Sequence, residues 1–438
     1  MLNTFLQPSI FDSVILTTAA GKKYNISTLV KEINLYENLF NNFMTADITI
    51  LDTPETRVIQ NGLKTALDTI SFSFAGKKED ETSEKLIKQT LYVYKSHTSP
   101  PGNNQSAQSI TIQLASFPFF LNNTKDISRY FNGQITDNVR KLAKEIEIGT
   151  GEYKLEIEPS DENMSGIITY KSVFETINMF AARCRPSRNT NDLNYIFYEN
   201  VDSTFKFISI GSLLASSSVV GTDSKTGFVV LMPNNISSSY LKRAVLTHTV
   251  SEQSSIKNAF GGMFTSSVLT FDMTTKTYNE NTFSYDVNFP KQSKLSTKKI
   301  IDAKKYENFS KLVNNSFFSR YTQKSQYCME CDESPEGQDK VGGGSDWLLP
   351  RISMMQQLNQ INMTFTVPGN SDIRVGNTFF FGRPGQQSLS KDNPEKDFLY
   401  NGKYMATEIK HSIKNNTGQS VIEYTTTIKC TKDSLGNE

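Results

Sequence analysis

The chain has 438 residues but only one tryptophan, three histidines and four cysteines. Histidine is the usual proton shuttle and metal ligand near neutral pH, and His97, His248 and His411 stand far apart. There is no HExxH and no GxSxG, so the short signatures of zinc proteases and serine hydrolases are missing. Cys328-Met329-Glu330-Cys331 is a CxxC, yet a structural zinc site needs a second pair or suitably spaced histidines. We therefore expect no metal, and reduced thiols at Cys184, Cys328, Cys331 and Cys430. The net charge is +1, which removes the basic signature of a nucleic-acid binder. No apolar run approaches the length of a membrane span. Met1-Leu2-Asn3-Thr4-Phe5 lacks the basic region and apolar core of a signal peptide.

What the chain does have is Phe and Tyr, 29 and 18 residues, with abundant Asn, Ser and Thr. That mixture suits strands joined by tight turns. The length allows two to four domains. The stretch from Ile33 to Asp52 is the most informative. Ala46, Ile48 and Ile50 alternate with Asp47, Thr49 and Leu51, as in a strand buried on one face. Before them lies an apolar knot of Tyr36, Leu39, Phe40, Phe43 and Met44, read as a hydrophobic corner between two strands and as candidate core or interface. More strands are expected at Thr69 to Phe74, Gln89 to Ser96 and Ser109 to Ala115. Lys77 to Lys85 reads as a solvated tip, and His97 to Asn104 as irregular.

Helical spacing begins near residue 120. Lys125 to Phe131, Asp137 to Ile148 and Ser172 to Arg183 carry it, the second with Val139, Leu142, Ala143 and Ile146 on one face. Arg183 and Arg185 suit a cationic helix end better than an anion site, since helix C-termini repel anions. A hairpin is expected around Asn200-Val201-Asp202-Ser203. Phe283 to Phe289 has strand character, and Tyr306 to Tyr321 has helical spacing. Glu330 to Ser345 is acidic and Gly-rich, a loop or linker without the Lys-Ser/Thr of a phosphate loop. A helix follows, with Leu348, Ile352, Met355 and Leu358 as its apolar stripe and candidate core or interface. The remaining residues alternate as strands. The expected fold class is mainly β with a helical insert (α+β): two similar small β-barrels bracketing a helical or irregular middle. The boundaries are 1–120, 121–190, 191–345 and 346–438.

Certain pieces carry a family likeness. Tyr36-Glu37-Asn38-Leu39-Phe40 and Met44-Thr45-Ala46-Asp47-Ile48 resemble the first tube domain of baseplate hub proteins of contractile-tailed bacteriophages. Leu349-Pro350-Arg351, Val367-Pro368-Gly369-Asn370, Arg374-Val375-Gly376-Asn377, Asn401-Gly402-Lys403-Tyr404 and Ile409-Lys410-His411 resemble the second. The likeness is weak from about 210 to 330. The resemblance implies a structural protein with no catalytic residue and no cofactor. It implies a homotrimer whose six near-equivalent barrels ring a channel that passes DNA without specific binding. Its partners would be the tail tube, the central spike, the tape-measure protein and the baseplate wedge, in the virion tail baseplate, with no membrane insertion.

Two other readings are open. A tail-borne cell-wall hydrolase needs two carboxylates across a cleft. Glu145, Glu147, Glu156 and Glu158 are available, but Glu156 and Glu158 sit in a strand-like run and read as solvated. A carbohydrate- or host-binding module would use exposed aromatics.

Overall fold

The computed structural model describes residues 6–52, 67–78, 82–99, 108–223, 226–230, 238–251, 255–272, 276–302, 319–324, 345–383, 399–416 and 421–436. The readings at Tyr306 to residue 318, Cys328, Cys331 and the Gly-rich run before Ser345 lie outside the described residues.

The fold is mainly β with a helical insert, and most of it is organised by one sheet of 15 strands. Its main path runs Thr247–Val250, Ile361–Pro368, Val421–Lys432, Gly402–Asn416, Val30–Asn38, Thr45–Asp52, Gln108–Ala115, Ile87–Ser99, Thr69–Ala75, Ile15–Thr17, Lys23–Asn25. The N-terminal and C-terminal β-modules are therefore hydrogen-bonded to each other. Gly402–Asn416 makes the join: Met405 to Asn416 pairs with Val421–Lys432, and Glu408 to Lys414 also pairs with Val30–Asn38. Period-2 alternation fixes the register, because a one-residue slip would turn Ile33, Leu35, Ile409 and Ile413 out of the core.

Behind the sheet lie separate cores. One gathers Ile33, Leu35, Ile48, Ile50, Ile70 and Ile112 of the N-terminal module. Another gathers Phe365, Phe379, Phe381, Tyr404 and Ile428 of the C-terminal module. A third belongs to the insert, where the helix Val173–Arg183 packs on Tyr195–Asn200 and the helix Ile135–Glu145 packs on Val173–Arg183. Val173–Arg183 starts with a complete capping box between Ser172 and Glu175. Arg183 donates to the Met179 carbonyl near its end, placing a cation where the helix dipole favours it.

Several sequence expectations need correcting. Lys125 to Phe131 is not helical; the strand Asp126–Gln134 pairs antiparallel with Asn163–Ser172. His97 lies inside the strand Ile87–Ser99. Phe283 to Phe289 divides into the end of a strand and the short helix Tyr285–Asn288. In the helix Ser345–Leu358 the buried positions are Leu349, Ser353, Met354, Gln357 and Leu358. Leu348, Ile352 and Met355 are half-buried, one residue round from that face.

Gly369 begins the turn after Ile361–Pro368. A Cβ there would overlap the ring of Tyr424, which is fully buried. We expect Gly369→Ala to cost about 1–3 kcal/mol through overpacking. A shift in the urea midpoint measures this; an unchanged midpoint would refute the close approach.

Candidate functional site: a polar sheet face and the junction behind it

The face of the sheet turned away from the cores carries short polar side chains across both modules. Thr364 and Thr366 stand on Ile361–Pro368, Thr425 and Thr427 on Val421–Lys432, and Thr45 and Thr49 on Thr45–Asp52. Ser109, Thr111 and Gln113 continue the face on Gln108–Ala115. Hydroxyls meet across strands, Thr366 with Thr427 at 3.0 Å and Thr49 with Thr111 at 3.4 Å. Charges of both signs stand on this face: Lys88, Lys95, Lys410, Lys414 and Lys429 with Glu32, Asp47, Glu408 and Glu423. Lys429 pairs with Glu408 at 2.8 Å and Lys414 with Glu32 at 3.8 Å. Lys410 lies over the Tyr36 ring, 5.8 Å from its centroid. Opposite charges facing each other across strands stabilise pairing and cancel the field that would grip a polyanion.

Buried polar contacts directly behind this face lock the modules together. The first set centres on Glu84, from the segment read as a solvated tip. Glu84 is buried and forms an ion pair with Lys242 at 2.8 Å. Its other oxygen accepts from the Ser371 amide at 2.5 Å and the Ser371 hydroxyl at 3.1 Å. Lys242 also donates to the Gly369 carbonyl, and the Gly76 amide donates to the Ser371 hydroxyl. Burial pushes Glu84 up and Lys242 down, and each is pulled back by the other.

The second set centres on His411. Its Nδ1 lies 2.8 Å from the Tyr424 hydroxyl and its Nε2 3.3 Å from Glu37. With Glu37 as an acceptor, the consistent arrangement is a neutral imidazole that donates from Nε2 and accepts from Tyr424 at Nδ1. Burial lowers the His411 pKa, against the pull of Glu37.

The insert plugs into the same place. The tip of its hairpin puts Val201 into the N-terminal core. The Val201 amide reaches Glu37 at 3.4 Å, and Gln89 donates to the Val201 carbonyl. Asp202 bonds Lys85 at 2.6 Å and lies 3.5 Å from Arg374. Burial opposes its charge, but Lys85 and Arg374 outweigh burial and hold its carboxyl below the usual range.

The residues singled out from sequence fall on several parts of this architecture. Leu39 and Met44 are buried, Tyr36 and Phe43 half-buried, and Phe40 is 51% exposed at the turn. Glu199, which the sequence did not single out, accepts from the Met44 amide at 2.7 Å and so ties that turn to the insert. Glu158 is not solvated; it accepts from the Ser209 amide at 2.7 Å at the start of the helix Ile210–Leu214. Glu156 is exposed. An apolar Val201 at an otherwise polar hairpin tip was the one readable signal for the plug. Among the described residues no group of three acidic, His or Cys side chains could hold a metal, and no helix is long and apolar enough to cross a membrane.

This fold, two β-modules sharing one sheet with a helical insert between them in sequence, is shared with solved tail proteins. The chain is similar to a tail protein from Neisseria meningitidis MC58, at 9% identity and TM-score 0.50, over 97% of each chain. It is similar to the 43 kDa tail protein of prophage MuSo2 from Shewanella oneidensis, at 10% identity and TM-score 0.51, over 97% of this chain and 99% of that one. No protein-family model matches the sequence, and no curated protein matches it.

Proposed function

We propose that the chain is a structural hub of a phage tail baseplate and has no enzymatic role. Three copies would form a ring of six β-modules that joins the six-fold tail tube to the three-fold central spike. The observation that carries this reading is the sheet face described above. It is continuous through both modules, rich in hydroxyls and mixed in charge, with carboxylates standing among its lysines. Such a face can line a channel for DNA without holding it, because affinity for phosphates comes chiefly from unpaired cations. The full-length likeness to tail proteins supports the same reading, as do the hub-like pieces at both ends. The tape-measure protein and baseplate wedge proteins would be the other neighbours.

Light scattering of the purified chain, with particle images of the same sample, tests this. We expect a mass three times the 49.3 kDa chain and a three-fold ring with an open centre, alone or after adding the spike protein. A chain that stays monomeric with the spike protein present and degrades peptidoglycan would sink the proposal.

A further inference from the structure

Beside the edge of the polar face, a set of aromatic rings remains partly open to solvent. Tyr92 packs on Phe117 with centroids 4.9 Å apart, and Tyr94 on Phe119 at 5.8 Å. Phe119 in turn meets Phe120 at 5.3 Å and Phe43 at 4.4 Å. Tyr94 is 40% exposed, and Phe119 and Phe120 are half-buried. The rings come from three separate places, the turn after Val30–Asn38, the strand Ile87–Ser99 and the helix Phe117–Asn123, so the shelf is assembled by the fold.

Carboxylates border it. The segment after the helix Ile135–Glu145 is held against the shelf by the Tyr153 hydroxyl, which accepts from the Phe117 amide at 3.1 Å. That segment carries Glu147 and Glu152, both exposed. Burial and then these two carboxylates push the Tyr92 phenol up; burial and Asp47 do the same for Tyr94. Among the described residues neither Glu147 nor Glu152 is ion-paired. Glu147 also breaks local rules. It holds φ at 63° just past a helix C-terminus, where Gly or Asn is usual and negative charge is unfavourable. Residues that break such rules concentrate where function requires them.

We propose that this shelf is a docking surface for an arginine-bearing segment of a protein partner. Ring faces attract cations, and a guanidinium can stack on a ring while its edge donates to a carboxylate. The charge around the rings selects that occupant over an acidic one or a purely apolar one.

The test is fluorescence anisotropy of a fluorescein-labelled nona-arginine peptide with the full chain at low salt. We expect saturable binding, weakened at least tenfold by Tyr94→Ala with Phe119→Ala. Glu147→Gln with Glu152→Gln should weaken it similarly, without touching the ring packing. Glu408→Gln, on the polar face, should leave binding unchanged. No binding by the wild-type chain overturns the proposal, as does equal binding by the carboxamide pair. Loss of self-association in the shelf variants with peptide binding intact would also overturn it and make a second copy the occupant. Failure to form the trimeric ring described above would leave this surface untouched, so the two readings fail separately.

Discussion

Replacing Lys242 by Met should lower the free energy of unfolding by about 3–5 kcal/mol, the usual cost of leaving a buried charge without its partner. Glu84 is buried and has Lys242 at 2.8 Å as its counter-charge. The Ser371 amide and hydroxyl would remain as donors, but they cannot replace a full positive charge. The Gly369 carbonyl would lose its donor at the same time. The double variant Glu84→Gln with Lys242→Met should recover much of the loss, since a buried ion pair and an uncharged pair of similar volume are often nearly equal in stability. Calorimetry on the four proteins of this double-mutant cycle measures the coupling. A Lys242→Met protein within 1 kcal/mol of wild type, a bound of order RT, would mean that the contact does not hold the modules together.

Glu199→Gln should act in the opposite direction and only above acid pH. Burial raises the Glu199 carboxyl from 4.5 to about 7, although the Met44 amide favours its charged form. A folded-state pKa above the unfolded one gives stability that is complete below 4.5 and is lost as pH rises through 7. Each pKa unit corresponds to about 1.4 kcal/mol, so the ionised carboxylate costs the fold about 3 kcal/mol at pH 8. Glutamine keeps an acceptor for Met44 and never ionises. The variant should therefore melt at higher temperature than wild type at pH 8 and at nearly the same temperature at pH 4.5. His411 opposes this trend. Its folded pKa is depressed, so its contribution is present above about 6.5 and is lost on acidification. In wild type the two slopes oppose each other just below 6.5; in Glu199→Gln the acid loss from His411 should stand out. Equal pH profiles for the two proteins would rule out a neutral Glu199 in the fold.

Local patterns were readable in the sequence. The alternation of Thr45–Asp52 gave its buried face because side chains repeat every two residues, and the helical spacing of Ser172 to Arg183 gave the helix Val173–Arg183 because one apolar face repeats every three to four. Asp126–Gln134 was misread for a physical reason. Ile127, Tyr130 and Phe131 are spaced as on a helix, but in the strand Ile127 and Phe131 face inward and Tyr130 is 58% exposed. The helix Ser345–Leu358 was visible while its buried face was only partly so: Leu358 is buried and Met355 packs against the core, but Leu348 and Leu349 are equally apolar and only tertiary packing chooses between them. The junction was illegible for a deeper reason. Glu84 lies among charges in sequence, and its partners Lys242 and Ser371 are more than a hundred residues away. No pattern within a short window can report a contact of that span.

The strand Gly402–Asn416 has a consequence for how the chain is made. Its partner Val30–Asn38 is synthesised well before it, and among the described residues one edge of that partner is paired by residues 408–414. At translation rates of 5–20 residues per second, roughly 20–70 s pass between the two. Throughout that interval the nascent N-terminal module carries an open strand edge, the kind of template on which chains mispair. Final closure is a non-local pairing, slow because its loop entropy must be met before the contact forms. The feature that makes the finished sheet continuous therefore also makes the last part of the chain the step that completes the first.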